Sequence, residues 1–398
     1  SEMCIRDRFN INMGENHIAA DISVSVNDEI EVEDTSSGRN ISITEPFNPN
    51  SIKISTPPYS IGFLVDRLEN DEVNMNTDFQ RSGDLWSDGQ QSRLIESLLL
   101  GLPLPAFYFD TSDNRWGIID GLQRCCSIYN FCVAKTLKLQ DLDYLKKLEQ
   151  QGFDDLERTL KRSILTRPIT VNLLEKGAPR QVRYILFKRL NTGGLELKPQ
   201  EIRNAIFQGK ISSFIKRLAQ CREFIRATDA RIPTRRMQDF DFVSRFLAFY
   251  LIKNEKYEPD LDAFIIKGLE RLEDASPEYL NKIETDFKKS LNLAYKIFGN
   301  DAFRKRYSET DPRNPINKAY FEVITVTFAE LDDQAHDNLT VKAPILKHNL
   351  IQAMGTLGRY LSQGTGTTDS VLNRHSIFNL VVQDTLEGKI YDNKSITA

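Results

Sequence analysis

The stretch that decides the fold is RWGIIDGLQRCCSIYNF, from Arg115 to Phe131. Its first half, WGIID, is short, aromatic and β-branched, which predicts a strand. Beyond it, Leu122, Cys126, Tyr129 and Val133 recur at helical spacing, so the strand runs straight into a helix. Asp120 and Gly121 form the junction. Two readings of it stand side by side. In one, Asp120 caps the helix and Gln123 reaches back to the cap amide, a capping box. In the other, the helix amides and Arg124 receive an anion, because a lone cation in the first turn is disfavoured by the helix dipole and a phosphate there reverses that sign.

Working outward, LPAFYFDTSDNRWGIID predicts a β-hairpin around the turn-forming DTSDN. Upstream, WSDGQQSRLIESLLLG predicts a helix that Ser87 and Gln90 start and Gly101 ends, with Leu94, Ile95, Leu98 and Leu99 on its apolar face. SIGFLVDRLEN has Ile61, Leu64, Val65 and Leu68 at helical spacing, and DEVNMNTDFQR reads as extended. Downstream, LQDLDYLKKLEQQGFDDLERTLKR reads as a charged helical stretch with a solvated face. SILTRPITVNLL predicts a strand and PRQVRYILFKRL a helix that NTGG ends, after which Pro199 starts another. The expected fold class is therefore α/β (α+β) in the N-terminal part, followed by an all-helical part from about residue 211. Residues 1–58 read as an acidic arm with short strands in ISVSV and RNISI, 59–210 as the central domain and 211–398 as the helical domain. The opening SEMCIRDRF resembles translated sequencing-adapter read-through and carries no weight.

Composition narrows the function classes. With 398 residues, 40% of them apolar, the chain can bury a large core. A formal net charge of −4 argues against coating nucleic acid or membrane by bulk positive charge. The five cysteines contain no C-x-x-C pair and suit a reducing, cytoplasmic setting. The longest apolar run, Leu98 to Phe109, is too short for a bilayer and is broken by Gly101, Pro103 and Pro105.

Taken singly, the remaining motifs are bland. Arg93 and Glu96 read as a surface ion pair, Glu201 as an acidic residue favoured by a helix start, and NTGG as a helix stop. His336, His348 and His375 read as surface or half-buried helix histidines, and no H-E-x-x-H spacing is present. RATDARIPTRR suits either DNA backbone contact or a solvated loop.

Taken in order, FQR, QSRLIESLLLGLPLP, IIDGLQR, FKRLNTGGLELKPQEIRNA and RRMQDFDFVSRFLAF resemble the N-terminal domain of GmrSD-type modification-dependent restriction enzymes, over about Tyr59 to Tyr250. That resemblance implies a fold similar to ParB and sulfiredoxin and a nucleoside triphosphate site with Mg²⁺ or another divalent ion. It also implies a role in DNA-directed defence, with DNA reached directly or through a partner nuclease, and leaves self-association open. Carried onto the matching positions, Asp120 holds a metal ion or orients water with Gln123 beside it, while Arg124 and the turn at Gly121 meet phosphate. Arg81 and Arg93 are further phosphate or DNA contacts, and Asn191, Gly193 and Gly194 form a loop near the nucleotide. Arg203 faces phosphate from the opposite wall, and Glu201 and Asn204 face the metal. The departure from the family's Asp-Gly-Gln-Gln-Arg motif is Leu122, where the first Gln is usual. Two other readings remain: a metal-dependent DNA endonuclease using the same groups, and a non-catalytic DNA-binding scaffold.

Overall fold

The computed structural model describes residues 29–33, 53–75, 86–190 and 198–391. The arm strands expected in ISVSV and RNISI fall outside these residues, as do Arg81, Asn191, Gly193 and Gly194.

The N-terminal part is built on a mixed sheet. Its strands are β1 (Ile54–Ser55), β2 (Pro58–Ser60), β3 (Val73–Asn74), β4 (Phe107–Asp110), β5 (Trp116–Asp120) and β6 (Pro168–Leu174), in the order β1-β6-β4-β5-β3, with β2 also on β6. β4 and β5 form the expected antiparallel hairpin, while β6 runs parallel to β4 and β3 parallel to β5. Helices α1 (Ile61–Glu69), α2 (Asp88–Leu100), α3 (Leu122–Ile128), α4 (Arg158–Leu165), α5 (Arg180–Leu190) and α6 (Pro199–Ile206) surround it.

Strand alternation sorts the side chains into two cores. Phe107, Phe109 and Leu173 point to the face covered by Ile61, Leu64, Ile95, Leu98, Cys125 and Ile128 of α1 to α3. Ile119 and Leu174 point the other way, onto Tyr184 and Phe187 of α5 and Ile202 of α6, in a core continuous with that of the C-terminal helices. The sheet is thus buried on both faces, as expected for a strand pair flanked by helices on either side.

Beyond α6 the chain is helical: α7 (Lys210–Ala219), α8 (Arg222–Ala227), α9 (Gln238–Ile252), α10 (Leu261–Glu270), α11 (Pro277–Phe298), α12 (Lys318–Glu330), α13 (Asp333–Val341), α14 (Ala343–Ser362) and α15 (Thr368–Glu387). At its centre Glu322 is fully buried and shared by Arg245, Arg374 and His375, with Arg374 Nη2 2.7 Å and His375 Nε2 3.0 Å from Oε1. His375 is therefore a core residue rather than a surface one. The described residues 29–33 of the arm are tied into this part. Glu31 N donates to Ile316 O at 2.8 Å and Ile316 N to Glu29 O at 2.8 Å, while Glu29, Glu31 and Glu33 pair with Arg231, Lys305 and Arg245.

Two local expectations need correction. Of the charged stretch 139–162, only the part within Arg158–Leu165 is α-helical, the rest being loop and two short 3₁₀ turns. Asp141 and Gln150 take left-handed φ values of 53° and 66°, and Leu139, Leu142 and Leu156 are drawn into the core, both incompatible with a continuous surface helix. Glu96 is the second. It is buried, and its carboxylate accepts from the amides of Asp143, Tyr144 and Leu145 at 3.0, 2.8 and 2.7 Å, so it pins that loop and is not the surface partner of exposed Arg93. Burial raises its pKa, but the three amides outweigh burial and hold it below the usual carboxylate range.

Candidate functional site at the end of strand β5

β5 delivers Asp120 to the sheet's edge, and the next residue makes the turn. Gly121 has φ 106°, and a Cβ there would lie 2.7 Å from Phe107 Cδ1, so the position excludes any side chain. Gly121 is itself the N-cap of α3, and no side chain caps that helix. The capping-box reading therefore fails: one residue of left-handed turn puts Asp120 outside cap position. Gln123 is used differently, its Oε1 accepting from Trp86 N at 3.0 Å, and Gln91 Nε2 donates to Trp86 O at 2.9 Å. These bonds lock the start of α2 onto α3.

Arg124 turns back toward the strand. Its Nη2 donates to Asp120 Oδ2 at 2.7 Å, its Nη1 to the carbonyls of Pro105 and Ala106, and its guanidinium lies 4.6 Å from the Phe107 ring centroid. The side chain is 10% exposed, against 30% for Asp120. Both terminal nitrogens are thus committed inside the protein. Asp120 stays accessible with its Oδ1 turned to no described partner. Leu122, where the family motif has Gln, is half-buried and belongs to neither apolar core.

The opposite wall comes from the α5/α6 hairpin. Arg180 at the start of α5 covers the Phe207 ring just past α6, and Tyr184 and Arg203 share Asp262, so the two helices run antiparallel. Arg183 Nη1 lies 3.2 Å from Asp110 Oδ2, and Gln208 lies against Gly117, which places the hairpin's open end beside the start of β5. Leu190 and Pro199, at the other end, therefore lie in the direction in which β5 runs to Asp120.

The expected site residues on α6 are deeply committed. Arg203 is 1% exposed, donates through Nε to Gln200 at 2.8 Å and pairs with Asp241 and Asp262. Glu201 Oε2 accepts from Lys198 N at 2.6 Å and from Arg236 Nη2 at 3.0 Å. Asn204 Oδ1 accepts from Ser212 Oγ at 2.6 Å. Arg93 is exposed on α2. Asp120, Gly121, Gln123 and Arg124 thus form one cluster, and Glu201, Arg203 and Asn204 a second on α6, which packs against β5.

Two residues just before and within the start of α9 were not singled out by the sequence, one of them paired with Glu201. Arg236 and the adjacent Met237 both take left-handed φ values, 57° and 55°, a strained pair that aims Arg236 at Glu201. Asp239 is 5% exposed at the start of α9, and burial pushes its carboxyl up to about 6. The positional signal for both was present in RRMQDFDF, but nothing local marks them as buried.

Among the described residues, no group of three or more His, Cys, Asp or Glu side chains could hold a metal ion. Asp120 and Glu201 each keep a carboxylate oxygen without a hydrogen bond among the described residues, and a Mg²⁺ ion typically takes one or two carboxylates and fills its remaining positions with water and substrate phosphates. A dedicated all-protein metal cage is not what these residues make.

Fold and site together define a mixed α/β domain with an acidic site at a strand end. Residues 64–208 match the family described as the GmrSD restriction endonuclease, N-terminal domain, in agreement with the motif resemblance. The match points to a component of a restriction-type defence system and to DNA involvement. No curated protein and no solved structure matches the chain. No helix among the described residues is long and apolar enough to cross a membrane.

Proposed function

We propose that the chain is a nucleoside triphosphate-binding and hydrolysing module of a restriction-type, DNA-directed defence system. The observation that carries this reading is the β5 terminus, where a half-exposed carboxylate, braced from behind by a buried arginine, stands beside a helix start that no side chain caps. The amides at a helix N-terminus favour an anion. A carboxylate next to that position opposes one, and a divalent ion between them resolves the conflict. When bound, Mg²⁺ would supply charge neutralisation for the phosphates.

The chain's own residues then have distinct tasks. Asp120 offers Oδ1 to the ion or to a water. Arg124 fixes the Asp120 rotamer through Oδ2, and so acts as a positioning residue with its charge spent internally. Gln123 holds Trp86 and with it the start of α2. Glu201, held by Arg236, is the second carboxylate assigned to the ion. Direct phosphate contact falls to exposed cations, of which Arg93 is one.

Leu122 favours a second reading: nucleotide binding with slow or absent turnover. It brings a half-buried apolar side chain to the position where the related motif has an amide able to orient water. Phosphate release from each nucleoside triphosphate with Mg²⁺, with and without DNA, separates the two. Hydrolysis lost in Asp120→Ala supports the first, and nucleotide binding without release supports the second. DNA cutting that needs no nucleotide contradicts both and favours a nuclease.

A further inference from the structure

Residues 29–33 of the arm are turned the opposite way from an ordinary surface strand. Residues 28–34 read DEIEVED, five carboxylates and no base. A strand on a protein surface normally turns its apolar side chains in and its charges out. Here Val32 is 90% exposed and the Glu33 side chain 9%. The three described carboxylates are not held equally. Glu33 accepts from buried Arg245 Nη1 at 2.6 and 2.8 Å, and Glu31 accepts from Lys305 Nζ at 2.7 Å and from Asn317 Nδ2 and Ser362 Oγ, each at 3.1 Å. These two anchor the segment. Glu29 is the outer one. It accepts from Arg231 Nη1 at 2.9 Å, with the Arg231 side chain 49% exposed, and its Oε2 lies 3.8 Å from Arg304 Nη2. An exposed pair of this kind is weak and screened by salt, so the Glu29 side chain can leave Arg231 while the segment stays in place.

Arg231 belongs to a cationic face. Residues 222–236 hold five arginines against two acids, in a chain whose formal net charge is −4. Arg222 and Arg226 are one turn apart on α8 and both exposed. The loop that follows folds back on that helix, Ala230 N donating to Ile225 O at 2.8 Å, which brings Arg231 beside them. The partners of Arg226 among the described residues are neutral, Asn292 Oδ1 and the Tyr295 ring. Arg313 joins from the loop before α12 through Asp229, whose Oδ2 accepts from Arg313 Nη2 at 2.8 Å and lies 3.6 Å from Arg231 Nε. The Asp229 carboxyl is held below its usual range, first by that bond from Arg313, with the charges of Arg313, Arg231 and Arg304 adding to it.

We propose that this face binds the phosphate backbone of duplex DNA, and that Glu29 is an intramolecular stand-in for a phosphate on Arg231, which DNA displaces. Arginine forms charge-assisted bonds with carboxylate and phosphate alike, so the exchange replaces one surface ion pair by another. The displaced carboxylate still opposes the incoming phosphates, so Glu29 lowers the affinity of the whole face. Phosphates neutralised by exposed arginines release their counterions, which makes binding here fall with salt. The face lies in the helical part and does not depend on the triphosphate reading of the β5 terminus.

The test is fluorescence-anisotropy titration of a short labelled DNA duplex with the full chain, without nucleotide and across a salt series, each variant first shown to unfold cooperatively. Wild type should bind with an affinity that falls steeply as salt rises. Glu29→Gln should bind about three- to tenfold tighter, since Arg231 is then unmasked and no carboxylate opposes the phosphates. Glu258→Gln, the same change of net charge at an exposed position of the helical part, should change affinity by less than about twofold. Arg231→Gln in the Glu29→Gln background should remove the gain, and Arg222→Glu should weaken wild-type binding by about tenfold or more. The proposal is overturned if wild type binds no DNA, if Glu29→Gln binds no tighter than Glu258→Gln, if Arg231→Gln keeps the gain, or if Arg222→Glu binds like wild type. A lower Tm in Glu29→Gln with unchanged DNA affinity would also overturn it, leaving Glu29 a structural strut.

Discussion

Replacing Arg124 by alanine removes three kinds of contact at once: the pair with Asp120, the bonds to the carbonyls of Pro105 and Ala106, and the stacking on Phe107. A hydrogen bond to a charged group contributes about 1.5–3 kcal/mol and a buried acceptor left unmade costs about 1–3 kcal/mol. The ring contact adds about 0.5–2 kcal/mol. These contributions overlap, and Asp120 is open enough for water to take over part of Arg124's role, so the expected loss is about 3–5 kcal/mol. The two tryptophans, Trp86 and Trp116, lie against Gln123 and at the start of β5, so their fluorescence reports on this region during urea unfolding. With a slope of about 2–3 kcal/mol per molar, the midpoint should fall by about 1–2.5 M. Arg124→Lys should recover about half, and a double-mutant cycle with Asp120→Asn should show coupling of about 0.5–1.5 kcal/mol. A loss below about 1 kcal/mol in Arg124→Ala would mean that the guanidinium is not a brace, leaving it free for a ligand.

Gly121→Ala meets both a left-handed backbone and the Phe107 ring, so a loss above about 2 kcal/mol is expected in the same unfolding assay. Glu322→Gln leaves Arg245 and Arg374 short of their shared anion and should cost about 3–5 kcal/mol. Burial raises the Glu322 pKa, but Arg374, Arg245 and His375 outweigh it and depress the carboxyl well below its ordinary value. Its contribution is therefore present above the unfolded carboxylate pKa and is lost as pH falls from about 4 downward, and the acid-unfolding curve of Glu322→Gln should be flatter there. Asp239 has the opposite sign. With its carboxyl pushed up to about 6 by burial, the folded state holds a proton that the unfolded state releases near pH 4, so stability falls as pH rises between the two values. Asp239→Asn should gain about 1–3 kcal/mol at pH 8 and little at pH 4, read from Tm across pH.

What the sequence revealed was mostly local. Ser87 with Gln90, Gly101 and Pro199 sit where caps and breakers were expected, because their signals act within four residues. The hairpin around DTSDN and the helices beyond residue 210 followed from period alone. The failures were tertiary. Arg124 looked like a cation awaiting an anion because its acceptors, Pro105 and Ala106, lie at the approach to β4, 18 or more residues back in the chain. Glu96 looked like the partner of Arg93 until the 143–145 loop folded over it. His375 looked like a surface or half-buried helix residue, although α12 brings Glu322 beneath it and buries it fully. Polar residues on an amphipathic helix read as solvated in sequence, and only packing reveals which of them face another charge.

The most direct test compares Mg²⁺-dependent phosphate release by wild type with that of Asp120→Ala, each shown to be folded by a cooperative unfolding transition. Measurable hydrolysis of at least one nucleoside triphosphate is expected in wild type and its loss in the variant, whose transition stays cooperative but is lowered by about 1–3 kcal/mol through the lost pair with Arg124. Undiminished release from folded Asp120→Ala would contradict the assignment of the β5 terminus as the reacting site.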